Sequence, residues 1–361
     1  MEGCTLFQIR HGRESTSSCK LLRRVRYGVQ PVTDFAFATC LPGMESALKL
    51  DVGRARPDLR FAYSRPGLVT FKSVDAIAVD DAPGSVFARV WGRSIGPARS
   101  PEDAVHQLAL VGADRLHVYP RDPESVTDLA PWHAALGVGL PGVAAGPATD
   151  GELVADVIVS ASADEPAWLG LHRQDANHVA APGALIAVDV PADAPSRAYA
   201  KIEEAIAWAG LPVRTGDVAL EIGAAPGGAV MALAKRGVEV FGVDTGELAP
   251  NVRAMKGVHH LPIKVGALRW EQLPKRVDWL LVDVNLAPQV ALHEVGRLMP
   301  KLAPTLVGAV FTLKLNDVSF VAELPVLAQR IAGFGFQSVR MRHLPSNRKE
   351  VCAVAMMRQR A

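Results

Sequence analysis

The stretch ALEIGAAPGGAVMALAKRGVEVFGVD, residues 219–244, decides how the second half of this chain folds. Residues 218–222 are a short apolar run of strand character. They lead into Gly223-Ala224-Ala225-Pro226-Gly227-Gly228, a turn with no large side chain. The pattern predicts a helix from about 229 to 235, with Gly237 as its stop signal. A second strand, 238–243, ends on Asp244. Strand, glycine-rich turn, helix, strand and acid in that order make a nucleotide pocket. The missing side chains let a ligand reach the backbone, and the acid can hold two ribose hydroxyls.

The details of the turn argue against a dinucleotide. A nicotinamide site needs G-x-G-x-x-G and a pyrophosphate resting on the helix N-terminus. Here Ala225 takes the place of the middle glycine and Pro226 stiffens the turn, although Gly228 falls in register. The pattern E-x-G-x-x-P-G-G looks instead like the first motif of S-adenosyl-L-methionine (SAM) methyltransferases. Asp244 lies 21 positions after Gly223, a spacing that suits either cofactor. The expected cofactor contacts are Gly223, Ala225, Pro226, Gly227, Gly228, Asp244 and Asp283.

Outward from this unit, the chain divides in two. Pro191-Ala192-Asp193-Ala194-Pro195 is a stiff connector, and Ser196 then caps a helix over 197–209. Further strands are read at 279–283, 307–313 and 351–357, the βαβ rhythm of an open, doubly wound α/β sheet with helices on both faces. The first half alternates short strands and helices in an α+β pattern. Strands are expected at 34–39, 68–72, 87–95, 115–119, 154–160 and 168–171, and a helix at 43–52. Ser100 is a good N-cap for a second helix with Pro101 at its first position. The stretch 137–150 is rich in Gly, Ala and Pro and reads as a loop.

Four polar residues in the second half stand where an apolar strand or its neighbouring helix would not ordinarily place them. Asp283 ends the strand VDWLLVD, Lys314 ends GAVFTLK, Glu350 opens EVCAVAM, and Lys201 lies early in the helix after the connector. A charge ending an apolar strand is costly unless it is paired or used. The bland alternative is a surface ion pair of little energetic weight. Two amines and two carboxylates around a methyl donor suit methylation of a ribose 2′-hydroxyl. That hydroxyl must be aimed at the methyl group and must lose its proton as it attacks. Lys314 is the expected proton acceptor or, failing that, the group that stabilises the developing alkoxide. Asp283 would sit near both the methyl group and Lys314, with Lys201 and Glu350 positioning the ribose.

With these residues in view, the half from about 191 to 357 resembles the FtsJ-type RNA 2′-O-ribose methyltransferases, with their Lys-Asp-Lys-Glu tetrad. The resemblance is carried by PADAPSRAYAKIEEA, by LEIGAAPGGAVMALAKRGVEVFGVD, and by WLLVDV, FTLKL and NRKEV. It implies that the tetrad falls on Lys201, Asp283, Lys314 and Glu350. It also implies SAM as cofactor and ribosomal RNA as partner, with a cytidine of large-subunit (23S) RNA as target. Two departures accompany it. Val265 stands where the family carries an acid facing the adenine, and Ala198 replaces a serine near the cofactor's amino-acid end. The alternative they leave is a weak or inactive RNA-binding ribosome-assembly factor that retains the fold. The segments CLPGME, residues 40–45, and Phe87-Ala88-Arg89 imply a ferredoxin-like part at 34–96 and a THUMP-like RNA-binding part at 97–190, ahead of the methyltransferase domain at 191–361.

Composition bounds the rest. A chain of 361 residues with 49% hydrophobic content can bury two or three domain cores. A formal net charge of +2 does not by itself establish a nucleic-acid partner. No uninterrupted apolar run reaches membrane-spanning length, so no membrane partner is expected. Cys4, Cys19, Cys40 and Cys352 show neither C-x-x-C nor zinc spacing, and His259-His260 lacks further ligands, so no metal is expected. The cysteines read as reduced thiols in a cytoplasmic protein. Residues 1–33 carry several arginines and read as a disordered basic extension or, less favoured, an RNA-touching arm. Arg340, Arg342, Arg348 and Lys349, near Glu350, are candidates to hold RNA phosphates. Nothing in the sequence fixes the oligomeric state.

Overall fold

The computed structural model describes residues 34–315 and 317–357. The extension expected at 1–33, with Cys4 and Cys19, lies outside them. The first half contains β1 (Asp34–Thr39), α1 (Glu45–Ala55), β2 (Arg60–Arg65), β3 (Leu68–Ser73), β4 (Trp91–Ala98) and α2 (Pro101–Leu108). It continues with β5 (Arg115–Pro120), α3 (Ala130–Gly139), β6 (Ala144–Ala145), β7 (Leu153–Val159) and β8 (Ala167–Arg173). Helix α2 starts as its sequence dictates: the Ser100 hydroxyl accepts from the Asp103 amide at 3.2 Å, with Pro101 following it.

These strands form one eight-stranded mixed sheet in the order β2-β3-β1-β4-β8-β7-β5-β6. Strand β4 joins its two parts, pairing with β1 on one side and β8 on the other. The boundary expected at 96/97 therefore falls inside a strand. A register shift between Ser94 and Gly96, with Gly96 at φ +136°, marks a β-bulge at that point and the strand continues through it. Helices α2 and α3 cover one face through Ala104, Leu108 and Leu136, packed on Val118, Val157 and Leu169.

The second half holds α4 (Ala198–Ala209), β9 (Val218–Ile222), α5 (Gly228–Lys235), β10 (Glu239–Val243), α6 (Pro250–Arg253) and β11 (Val258–Leu261). After these come β12 (Trp279–Val282), α7 (Pro288–Leu302), β13 (Gly308–Lys314), α8 (Leu324–Ala332), β14 (Ser338–Arg342) and β15 (Glu350–Met356). The seven strands run in the order β11-β10-β9-β12-β13-β15-β14, parallel from β11 to β13, with β15 antiparallel to both neighbours. Alternation along each strand splits the apolar side chains between two faces. Leu220, Ile222, Leu280 and Val282 meet Leu292 and Val295 of α7 and Leu327 and Ile331 of α8. Ala219, Trp279 and Leu281 meet Ile202 and Ala205 of α4 and Val230 and Leu233 of α5. Each Leu or Ile so buried contributes about 1.5–3 kcal/mol. Strand order reverses between β9 and β12, and in such a sheet the crevice opens at the carboxyl ends flanking that point.

Cys40 and Cys352 are free and buried, and burial pushes both thiols up. Among the described residues no helix is long and apolar enough to cross a membrane.

Candidate active site

Parallel strands ending side by side bring their last residues together. Asp283 directly follows β12, and Lys314 is the last residue of the neighbouring β13. Strand β15 runs the other way, so its first residue, Glu350, is the direct cross-strand partner of Lys314. Lys201, on the first turn of α4, reaches the same point. The four side chains close a ring. Lys201 Nζ lies 3.0 Å from Asp283 Oδ2 and 2.6 Å from Glu350 Oε2. Lys314 Nζ lies 3.1 Å from Asp283 Oδ1 and 2.5 Å from Glu350 Oε1. Each amine bridges both acids, and each acid presents one oxygen to each amine. Burial opposes the charge on Lys314, but Asp283 and Glu350 outweigh it and hold its pKa above the ordinary lysine value.

Residues outside the ring fix its parts. Glu204, one turn after Lys201 and buried, accepts from the amide and the hydroxyl of Ser346 at 2.9 and 2.8 Å. This ties α4 to the loop that delivers Glu350. Asn347 Oδ1 accepts from the Leu344 amide at 3.0 Å, and His343 Nε2–H donates to the Arg348 carbonyl at 2.5 Å. His343 and Asn347 thus brace the loop from within, while Ser346 ties it to α4. Glu221, in the middle of β9, points to the α4 side and lines a small pocket with Lys201, Asp283 and Asn347. Full burial, with Asp283 and Asp244 nearby, pushes its carboxyl well above the usual range. Sequence reasoning gave Glu204 and Glu221 no role; an acid mid-strand inside the E-x-G pattern was the available signal for the second.

The expected phosphate cluster needs correction at Arg342. Its guanidinium is buried and donates to the Asn177 and Arg89 carbonyls at 2.8 and 2.6 Å, so it is a strap between the two halves and not a free cation. Arg340 lies over the Trp208 ring at 4.9 Å. The histidine pair is likewise accounted for locally. His259 lies 2.8 Å from Glu239, and His260 donates to the Asp244 carbonyl at 3.1 Å.

Beside the ring, a crevice of about 560 Å³ is lined by Gly223, Ala225, Asp244, Val265 and Asp283, among others. Gly223 has φ +92°, and a Cβ there would stand 2.4 Å from the Asp283 carbonyl oxygen, so a side chain is excluded where the two strand ends meet. Gly227 (φ +109°) precedes Gly228 at the start of α5, and Pro226 is joined to Ala225 by a cis peptide bond. A Cβ on Gly228 would meet the Ser196 hydroxyl at 2.3 Å, so Gly228 serves the packing of α5 on the start of α4. Asp244 Oδ2 accepts from the Ala225 amide at 3.0 Å and Oδ1 from the Gly246 amide at 2.8 Å. A carboxylate offers about four acceptor directions, so about two remain for a pair of vicinal hydroxyls. The acceptor directions left on Asp244 therefore fit a nucleoside with a free ribose. Val265 lines the crevice from a short turn, Val265–Ala267.

A model of the FtsJ-like methyltransferase family matches residues 194–323. The chain is similar to proteins called ribosomal RNA large subunit methyltransferase M. That of Alkalilimnicola ehrlichii is 36% identical over 178 residues, 46% of this chain and 47% of that protein. That of Thauera aminoaromatica is 32% identical over 187 residues, 48% of this chain and 49% of that protein. These two matches span about half the length of the relatives concerned. That of Marinobacter nauticus is 30% identical over 335 residues, 81% of this chain and 86% of that protein.

Proposed function

The chain belongs to the ribosomal RNA large subunit methyltransferase M family, and from that premise we propose that it methylates a ribose 2′-hydroxyl of ribosomal RNA, a cytidine of the large-subunit RNA being the target. The observation that carries the reading is the closed ring of Lys201, Asp283, Lys314 and Glu350 beside a nucleoside-sized crevice. SAM, when bound, supplies a methyl group on a cationic sulfur. Asp244 would hold the cofactor ribose, and the crevice wall at Gly223 and Ala225 would admit its amino-acid end. Asp283 borders both the crevice and the ring, so it would link cofactor and substrate.

Chemistry at the ring follows from its charges. Lys314 rests as an ammonium. Positive charge held in the crevice would offset Asp283 and Glu350, so Lys314 would give up that proton to solvent more readily. Neutral Lys314 would then accept the proton of a ribose hydroxyl aimed at the methyl group that the cofactor would supply. Lys201 and Glu350 keep the amine and the hydroxyl in line. The displacement needs no covalent enzyme intermediate, so positioning supplies much of the rate. Residues 34–96 and 97–190 would serve as the ferredoxin-like and THUMP-like parts that hold RNA, and the cytoplasm is the proposed compartment. The preserved ring disfavours an inactive assembly factor.

The test is transfer from labelled SAM to large-subunit RNA lacking the modification. Alkali-resistant dinucleotides are expected. Their absence, with a folded protein that binds SAM, would overturn the reading.

A further inference from the structure

Adenine carries a group that apolar contact cannot satisfy: an exocyclic amine with two N–H donors. Left buried without an acceptor, such a group costs about 1–3 kcal/mol. Beyond Asp244 the crevice is lined by the apolar Ile263, Val265, Val284, Leu286 and Val290, which offer no side-chain acceptor, and by Thr245 and Asn285, whose side-chain oxygens are neutral. Asp244 and Asp283 belong to the strand ends. One further carboxylate lines the crevice among the described residues, and it is Glu294.

Glu294 reaches the crevice from α7, one helical turn after Val290, so both side chains share a face. Its Oε1 lies 3.6 Å from the position a Cβ would take on Gly266, which sets the carboxylate against the Val265–Ala267 turn. Arg297 fastens it there. Its Nη1 and Nη2 donate to the Leu268 and Val265 carbonyls, each at 2.7 Å, and Nη2 lies 3.3 Å from Glu294 Oε2. One guanidinium therefore binds the turn and the carboxylate as a unit. The side chain is only 22% exposed, so its direction is set by the crevice wall and not by solvent.

Resting on the reading of this crevice as the SAM site, we propose that Glu294 recognises the exocyclic amine of the adenine and sets the base specificity of the site. The turn itself presents Val265 there, and α7 supplies the acceptor from the other side. A hypoxanthine in the same place would put a carbonyl oxygen against the carboxylate, two acceptors face to face.

Calorimetry on the full chain with S-adenosylhomocysteine and S-inosylhomocysteine tests this. The native protein should prefer the adenosyl form by about tenfold or more, the equivalent of one buried acceptor left unpaired. Glu294→Gln can donate as well as accept, so it should narrow that preference to about threefold or less. Glu294→Ala should weaken adenosyl binding and also lose the preference. Circular dichroism checks that both variants fold. Tight adenosyl binding with the preference unchanged in both variants overturns the role of Glu294 and leaves the cofactor site standing. No adenosyl binding by the folded native chain overturns both.

Discussion

Charge is buried in both sheets of this molecule, but at different places along the strands. Asp156 and His172 sit within adjacent strands of the first sheet, β7 and β8, 2.5 Å apart with exposures of 0% and 1%. The four members of the ring sit at the ends of strands and the start of a helix, and keep 13–20% exposure. The mid-sheet pair is sealed on every side, so its charges can only hold the structure together. The ring borders a crevice, so its charges can meet a reactant and trade protons with it. Position along the strand, more than the chemistry of the residues, separates a structural ion pair from a working one.

That contrast breaks if the ring is also merely structural. Lys314→Ala should lower methyl transfer by about 10³-fold or more, within the range for loss of a general base. SAM affinity should change by no more than about threefold. The native rate should rise with pH: burial opposes the charge on Lys314, Asp283 and Glu350 outweigh it, and the neutral amine is scarce below the raised pKa. Lys314→Arg stays charged and should be as inactive as the alanine variant. Retention of more than a tenth of the native rate in Lys314→Ala would remove this lysine from its role.

The sealed pair should respond in stability and not in activity. Asp156→Asn leaves His172 without its counter-charge and should cost about 3–5 kcal/mol in urea melts. The fraction that stays folded should still transfer methyl groups at the native rate. Burial opposes the His172 charge, but Asp156 outweighs it and raises the pKa above the ordinary 6.5. The sign follows from linkage. The stabilisation is present in full below pH 6.5 and is lost as pH rises through the raised value. The gap between native and Asp156→Asn proteins should therefore shrink as pH rises above 6.5. His117 and His178 are shifted down, chiefly by burial, and lose stability in the opposite direction, on acidification. Asp156 also holds His117 up, so its removal lowers His117 further and makes the gap shrink in the same direction as pH rises. A gap that widens with pH would contradict the assignment.

The same contrast explains what the sequence could disclose. The ring was readable because each member interrupts or ends an apolar run, as Lys314 does after GAVFTL. The crevice was readable from the bare turn and from Asp244 at a strand end. The mid-sheet pair was not, since Asp156 and His172 sit in separate runs and only the β7–β8 register brings them together. Edge strands were missed for a related reason. β2 reads RFAYSR with every residue at least partly exposed, and β14 reads SVRMR, which alternates but has only two apolar residues in a five-residue run. Arg342 looked like a phosphate ligand because a sequence shows its charge and not the carbonyls of Asn177 and Arg89 waiting for it.

A smaller effect sharpens the comparison within the second sheet. Gly223→Ala combines a φ of +92° with a Cβ 2.4 Å from the Asp283 carbonyl. The strain should cost about 1–3 kcal/mol of stability. Because the displaced group is Asp283, SAM affinity and transfer rate should both fall. A variant that melts like the native protein and keeps its rate would show that the strand ends are not held as closely as drawn.

The smallest effect comes from a pair with the same chemistry as the ring and none of its setting. Helix α4 carries both Lys201 and Glu203, two residues apart and so not on the same face. Lys201 turns into the ring, while Glu203 meets Arg236 in an ion pair whose arginine is 39% exposed. Water screens that pair and both long side chains lose freedom in making it, so it is worth about 1 kcal/mol or less. Arg236→Ala should shift the melting temperature by only a few degrees and leave the methyl-transfer rate and its pH profile unchanged. Loss of activity here would mean that charge on α4 acts on the ring from a distance, and position along the strand would no longer be the deciding variable.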